Sequence, residues 1–347
     1  MSSVSISDVA RRAGVSRATV SRVLNGSTEA LVTQGTRTLV RQAVEDLGYH
    51  PSAIARGLAG KPMNTVGIIL AYELPSVTTD PFLSPVLDGI LAVSKRERQK
   101  TIIFVEDNWE DAFASLPVYC DGHCDGLVLV APCTDSQIVG ALQSGRTPFV
   151  LIGDSREMPG IAVADIDNVA AARLAVGHLL AQGHRRIAAL CGNRELLSSH
   201  QRLQGYTEAL AEWNVPQDNS LILPGQYWEA SGSERARLLM ELPIGQRPTA
   251  LFCQNERIAV GALEGLLSLG IRVPQEVSII GIGDYPAMIG ATPALTTVHI
   301  PLRKVGERAV EMLLSHVQQS PERQERTILT GWLIERGSTA PPVCDIS

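Results

Sequence analysis

Between Ser16 and Asn25, helical spacing sorts the side chains by chemistry. Val20, Val23 and Leu24 recur at i, i+3 and i+4 as an apolar stripe, while Arg17, Ala18, Ser21, Arg22 and Asn25 fall on the opposite face. That second face carries two guanidinium forks, an amide, a hydroxyl and one small residue. Arg reads guanine bidentately in the major groove, Asn reads adenine, and Ser and Ala permit close approach. A solvated surface helix is the plainer reading, but the neighbourhood argues against it. The preceding helix stops at Gly14, leaving only a tight turn before Arg17. Counting from Ile6, Ala10 is fifth, Gly14 ninth and Val20 fifteenth. Those are the packing and turn positions of a helix-turn-helix unit.

The charge distribution agrees. Residues 1–61 hold eight Lys/Arg against four Asp/Glu, and the remaining chain holds 22 against 32, within a net charge of −6 over 347 residues. A small basic module for an anionic partner is joined to an acidic body. With 45% hydrophobic residues the chain is expected to be globular, with room for two or three domains. Its six cysteines are scattered, four of them in or beside apolar runs, as in reduced cytosolic proteins. The start "MSSVSISDVARRAG" has no apolar signal region, and no apolar run approaches the roughly 18 residues of a membrane span. A cytoplasmic protein is expected.

Stepping outward from the basic helix, "SDVARRAG" reads as a helix with Ser7 as N-cap and Asp8 in its first turn. "SRATVSRVLNG" repeats that logic with Ser16 and Gly26, and a third helix spans about residues 33–47. "PSAIARGLAGKP" is a short helix or hinge fenced by Pro51 and Pro62. From Thr65 the pattern changes to short apolar runs alternating with helices: "TVGIILA", "TIIFVED", "DGLVLVAP", "PFVLIGD", "RIAALCG", "TALFCQN" and "VSIIGIGD". Helices over residues 169–182, 201–213 and 258–269 lie between the later runs. This predicts parallel sheets covered on both faces, divided into two doubly wound lobes. The expected organisation is a DNA-binding head over residues 1–50, a hinge over 51–63 and a two-lobed core over 64–347. Ligands of such sheets gather at the carboxyl ends of the strands.

The sequence resembles the lactose/galactose-repressor (LacI/GalR) family. The resemblance is carried by "ISDVARRAGVSRATVSRVLNG", "LGYHPSAIARGLAGK", "GHRRIAALCG", "QRLQGYTEAL", "QNERIAVGALEGLLSLGIRVPQEVSIIGIGD" and "PALTTVHIP", in family order over essentially the whole chain. It implies a dimeric transcriptional repressor of carbohydrate-utilisation genes, with helix-turn-helix heads, a hinge helix and a core built like periplasmic sugar-binding proteins. Arg17 and Ala18 match the pair that reads the operator, with Ser16, Ser21, Arg22 and Asn25 as neighbouring phosphate or base contacts. Thr33 matches the cap of the third helix against the DNA backbone, and Ser52 a hinge contact. Ala55 and Leu58 match residues that enter the minor groove, where an apolar wedge kinks the duplex. Between Gly26 and Thr36 the chain is about two residues longer than the shortest family members, an addition expected to perturb only a loop.

The resemblance also implies an effector site. Asp80 and Phe82 match contacts from the first lobe, Asp167 follows a strand, and Arg202 is the basic anchor. Trp228 offers a plate for a sugar ring and Asn255 an amide at a strand end. In two places the chain departs from the family pattern. Glu256 follows Asn255 where Asp is usual, and Gly283 stands where an acid is usual, leaving Asp284 as the nearest carboxylate. Loss of that negative charge suggests an anionic effector, a sugar phosphate or sugar acid, with Arg202 as counter-charge. A purine effector or an activator role are alternatives within the family, and a transport-type sugar-binding protein is a more distant one. No catalytic set, cofactor loop or metal site stands out. "YCDGHCDG" brings Cys120, His123 and Cys124 together without the further ligands that structural zinc needs, and "IIGIGDYP" has Pro286 where a dinucleotide loop needs glycine. The segment "TGWLIERGSTAPPVCDIS" has no leucine heptad, so no tetramerising coil is expected.

Overall fold

The computed structural model describes residues 4–24, 32–49, 62–71, 79–285, 291–320 and 324–342. The chain divides into two compact units, Met1–Met63 and Asn64–Ser347.

In the first unit, α1 (Ile6–Ala13), α2 (Arg17–Leu24) and α3 (Gln34–Leu47) pack Val9, Ala10, Val20, Val40, Ala43 and Tyr49 into one small core. The N-cap of α1 is Ser5, not Ser7. The Asp8 carboxylate reaches back to accept both the Ser5 N–H (3.0 Å) and its hydroxyl (2.7 Å), which draws Ser7 inside the helix. Gly14 ends α1 in the left-handed region (φ 67°), where a β-carbon is unfavourable, and the Val15 N–H closes the turn on the Ala10 carbonyl at 3.0 Å. Ser16 Oγ then accepts the Thr19 N–H (3.1 Å) and starts α2. Thr33 Oγ1 accepts the Thr36 N–H (3.3 Å) at the start of α3. Asn25, Gly26, Ser52, Ala55, Leu58 and the helix expected between Pro51 and Pro62 lie outside the described residues.

In the second unit, one lobe begins with β1 (Thr65–Ala71), α4 (Leu83–Arg96), β2 (Lys100–Glu106), α5 (Trp109–Ala114), α6 (Leu116–Tyr119), β3 (Gly126–Val130), α7 (Gln137–Ser144), β4 (Phe149–Ile152) and β5 (Ala162–Ile166). The other comprises α8 (Asn168–Ala181), β6 (Ile187–Leu190), α9 (Leu197–Glu212), β7 (Ile222–Leu223), α10 (Glu229–Glu241), β8 (Ala250–Cys253), α11 (Glu256–Ser268), β9 (Ser278–Gly283) and β10 (Thr296–His299). The chain then returns through α12 (Leu302–Val317) and β11 (Arg326–Leu329) to the first lobe, and crosses once more into β12 (Trp332–Ile334).

The sheet orders are β11-β5-β4-β3-β1-β2 and β12-β10-β9-β8-β6-β7. All seven apolar runs are strands. Every pairing is parallel except β10 with β12, so the second sheet has one antiparallel edge where a wholly parallel sheet was expected. That strand follows a direct crossover from β11, with no helix to turn it round. Strands β1, β3, β4 and β5 are buried along their whole length, whereas the edge strand β2 mixes half-buried and exposed residues. One continuous core runs through both lobes because α8 leaves the first sheet to pack on β9, β10 and β12, and α12 leaves the second to pack on β3, β4 and β5. Glycine permits the closest helix contact beside the cleft: a β-carbon on Gly261 of α11 would lie 1.8 Å from the Glu229 carbonyl of α10.

Candidate functional site

In the first unit, α2 separates its faces as the sequence spacing demands. Val20 is fully buried and Val23 and Leu24 pack beside it, while Ser16, Arg17, Ala18 and Arg22 are exposed and Ser21 is half-buried. Arg12 is tied to Asp46 of α3 (2.8 Å), but Arg17 and Arg22 form no ion pair among the described residues. Their guanidinium groups remain available for an external anion or a base edge.

In the second unit, a cleft of about 480 Å³ opens at the carboxyl ends of both sheets. It falls in the range of small-molecule sites, roughly 300–1,000 Å³. Asp80 and Phe82, ahead of α4, meet Arg202 of α9, Trp228 ahead of α10 and Asn255 ahead of α11 there. Trp109, Tyr227 and Tyr285 add aromatic surface, and Asp107, Asn108, Asp165, Asn168, Asn193 and Glu195 add polar groups.

Arg202 is buried and rigidly held. Its Nε donates to Asn168 Oδ1 (2.9 Å) and its Nη1 to the Gln254 carbonyl (2.5 Å). Gln254 is itself fixed, its Oε1 accepting from Gly192 N (2.8 Å) and Ser199 Oγ (2.9 Å). Asn168 donates to the Ile166 carbonyl (3.3 Å) at the end of β5 and to Gln201 Oε1 (3.1 Å). No salt bridge holds Arg202 among the described residues: its partners are an amide and a carbonyl.

Arg257 has a different setting. Glu229 binds it bidentately (2.7 and 2.8 Å), its guanidinium carbon lies 4.7 Å from the centre of the Trp228 ring, and Asp80 is 3.7 Å away. Paired with Arg257, Glu229 stays below the usual carboxylate range. Asp80 caps α4 by accepting the N–H groups of Phe82 (3.0 Å) and Leu83 (2.8 Å), yet burial pushes its pKa up. Asp80 and Arg257 thus face each other from opposite lobes.

Two expected effector contacts are placed elsewhere. Asp167 caps α8, accepting the Ala170 N–H at 2.9 Å, and does not line the cleft. Asp284, at φ 100°, turns its carboxylate to Arg336 and to His299 (3.3 Å) and does not line the cleft either. The cleft acid of this stretch is Asp165, two residues before Asp167 and inside β5. Burial raises it to about 6, against the opposing pull of its hydrogen bonds from Ile166 and Ser155 and the charge of Arg202. Asn255 lines the cleft, but its Oδ1 already accepts the Ile258 N–H (2.8 Å), leaving its Nδ2 with only a long contact to the Tyr227 carbonyl (3.4 Å).

The two departures noted in the sequence prove to be one feature. Glu256 is buried, and its Oε2 accepts the N–H groups of Asp284 (2.9 Å) and Tyr285 (2.7 Å). A β-carbon on Gly283 would come within 3.0 Å of both the Cβ and the carboxylate of Glu256. The longer acid on α11 therefore occupies the space beside β9, and glycine at 283 accommodates it. Burial raises the Glu256 pKa, and the two N–H bonds oppose the rise.

The geometry has close counterparts. Residues 5–52 match the model of bacterial regulatory proteins, lacI family, and residues 176–339 match a periplasmic binding protein-like domain. The transcriptional regulator GalR of Escherichia coli K12 is 33% identical, covering 99% of this chain and 97% of its own. A solved lac repressor dimer, bound to operator and the anti-inducer ONPF, superposes with a TM-score of 0.83 at 25% identity, covering 98% of this chain and 100% of its own. A complex of the regulator CelR with cellobiose gives a TM-score of 0.73 at 28% identity, covering 96% and 99%.

Proposed function

The chain belongs to the lacI family of bacterial regulatory proteins, and from that premise we propose that it is a dimeric, cytoplasmic repressor of carbohydrate-utilisation genes whose effector is a neutral sugar held between the core lobes. It works by binding alone, without turnover. Arg17 and Ala18 read the operator in the major groove, with Ser16, Ser21, Arg22, Asn25 and Thr33 as neighbouring contacts. Ser52, Ala55 and Leu58 supply the hinge contacts, two of them in the minor groove. A dimer places one head on each half-site of a pseudo-palindrome.

The observation that carries the sugar reading is the composition of the cleft. Phe82, Trp109 and Trp228 line it together with carboxylates and amides, a set of groups suited to cover C–H faces and to bind neighbouring hydroxyls. Its charge favours a neutral ligand over the anion suggested by Gly283. Asp80, Asp107, Asp165 and Glu195 line it against Arg202 and Arg257, and Arg257 is already paired with Glu229. Occupancy shifts the balance between lobe arrangements by the difference in sugar affinity between them, and that difference sets operator affinity. Thermal unfolding of the full chain with neutral sugars, sugar phosphates and purine bases tests the reading. Neutral sugars should raise the midpoint; stabilisation by phosphates or purines alone would contradict it.

A further inference from the structure

Tyr285 follows β9 and lines the cleft, where it is 9% exposed. Its backbone N–H donates to Glu256 Oε2 at 2.7 Å, but among the described residues nothing bonds its hydroxyl. The other buried tyrosines of the second unit are satisfied there: Tyr119 donates to Glu106 Oε1 (2.8 Å) and Tyr206 to the Ile187 carbonyl (2.8 Å). A buried phenol ordinarily finds such a partner. Nor is the Tyr285 hydroxyl one of the side-chain oxygens that are sealed from solvent without a partner. It keeps an accessible surface on a residue that lines the ligand site.

The backbone around it is arranged to admit the ring. A β-carbon on Gly283 would lie 2.8 Å from Cε2 of Tyr285 and 3.0 Å from Cβ of Glu256, so any side chain at 283 would displace one or the other. Asp284 then turns at φ 100°, its carboxylate drawn to Arg336 and to His299 (3.3 Å). Glu256 fixes the same stretch by accepting the N–H groups of Asp284 and Tyr285. The groups that act electrostatically on the phenol are Arg202, Glu256, Asp80 and Tyr227, and all but Glu256 line the cleft. Burial raises the phenol's pKa and the Arg202 charge opposes the rise. The hydroxyl is therefore neutral at pH 7, able both to donate and to accept.

We infer that Tyr285 is a ligand-contact residue: its hydroxyl hydrogen-bonds a polar atom of the bound ligand, a hydroxyl or the ring oxygen of a sugar, from the strand end where Gly283 offers no side chain. The inference rests on the sugar reading above and adds the contact made from β9. A carboxylate at this strand end could only accept, and would add charge to a cleft that Asp80, Asp107, Asp165 and Glu195 already line. The phenol adds none, and it meets an acceptor oxygen as well as a donor.

The test is calorimetry and thermal unfolding of the full chain, wild type and Tyr285→Phe. The ligands are D-glucose, D-galactose, D-ribose, cellobiose, D-glucose 6-phosphate and adenine. Phe keeps the ring and removes the hydroxyl alone. The variant should bind whichever sugar binds wild type about three- to tenfold more weakly. Without ligand its unfolding midpoint should match wild type, since no bond within the protein is lost. Undiminished sugar binding overturns the inference and leaves the sugar reading intact. A variant that fails to fold, or unfolds at a clearly lower temperature without ligand, assigns the hydroxyl to the fold and also overturns the inference. If only the sugar phosphate or adenine binds wild type, the sugar reading falls, and the affinity ratio for that ligand decides the Tyr285 contact separately. If none of the six binds, both fall.

Discussion

Arg17 and Arg202 are both arginines, and their surroundings assign them opposite tasks. Arg17 is exposed and without an ion pair among the described residues; Arg202 is buried and gripped by Asn168 and Gln254. Replacing Arg17 by Ala should weaken specific DNA binding by about 1–3 kcal/mol if it reads a base. Sugar affinity should be unchanged, as calorimetry on the same preparation would record. The site was partly legible from residue type. Asp80, Phe82, Arg202, Trp228 and Asn255 all line the cleft, as the family resemblance implied. Asp165 was hidden because it lies inside the apolar strand "AVADI", whereas strand-end reasoning directs attention to Asp167. Backbone capping claims Asp167, and an arginine and a histidine claim Asp284; neither competitor can be seen without tertiary contacts.

At the scale of elements, the contact between α10 and α11 couples packing to recognition. Gly261 lets α11 approach the Glu229 carbonyl, and the Glu229 side chain holds Arg257 over Trp228. Gly261→Ala should destabilise the core by about 1–3 kcal/mol through overpacking, visible as a lower unfolding midpoint, and should also weaken sugar binding. A variant that keeps full stability would refute the close contact. Elements with strong periodicity were legible: all seven apolar runs are strands, and the capped helices of the head stand within a few residues of their expected positions. Ends were less so. Helix α9 begins at Leu197, four residues before the expected start, because the polar "SSH" that follows Leu197 interrupts any apolar period. Strands β7 and β12, of two and three residues, are too short for any alternation to register, and the antiparallel edge follows from the crossovers.

At the scale of the whole molecule, the basic head and acidic core predict different responses to salt. Residues 1–61 carry four more basic than acidic groups, so operator affinity should fall steeply and linearly in log–log form as salt rises. Binding of a neutral sugar in the core releases no phosphate counterions and should barely change. Titrations of each ligand at several salt concentrations check this directly; equal slopes would refute the division of labour. The central claim is that a sugar held at Arg202 controls DNA binding by the rest of the chain. The most direct measurement is fluorescence anisotropy of the full chain on a duplex enriched from random sequence, with and without a sugar that stabilises it. Wild type should change its DNA affinity on adding sugar, and Arg202→Ala should bind the same duplex equally well with no change. A sugar that binds without moving DNA affinity, or an Arg202→Ala variant that responds like wild type, would contradict the account.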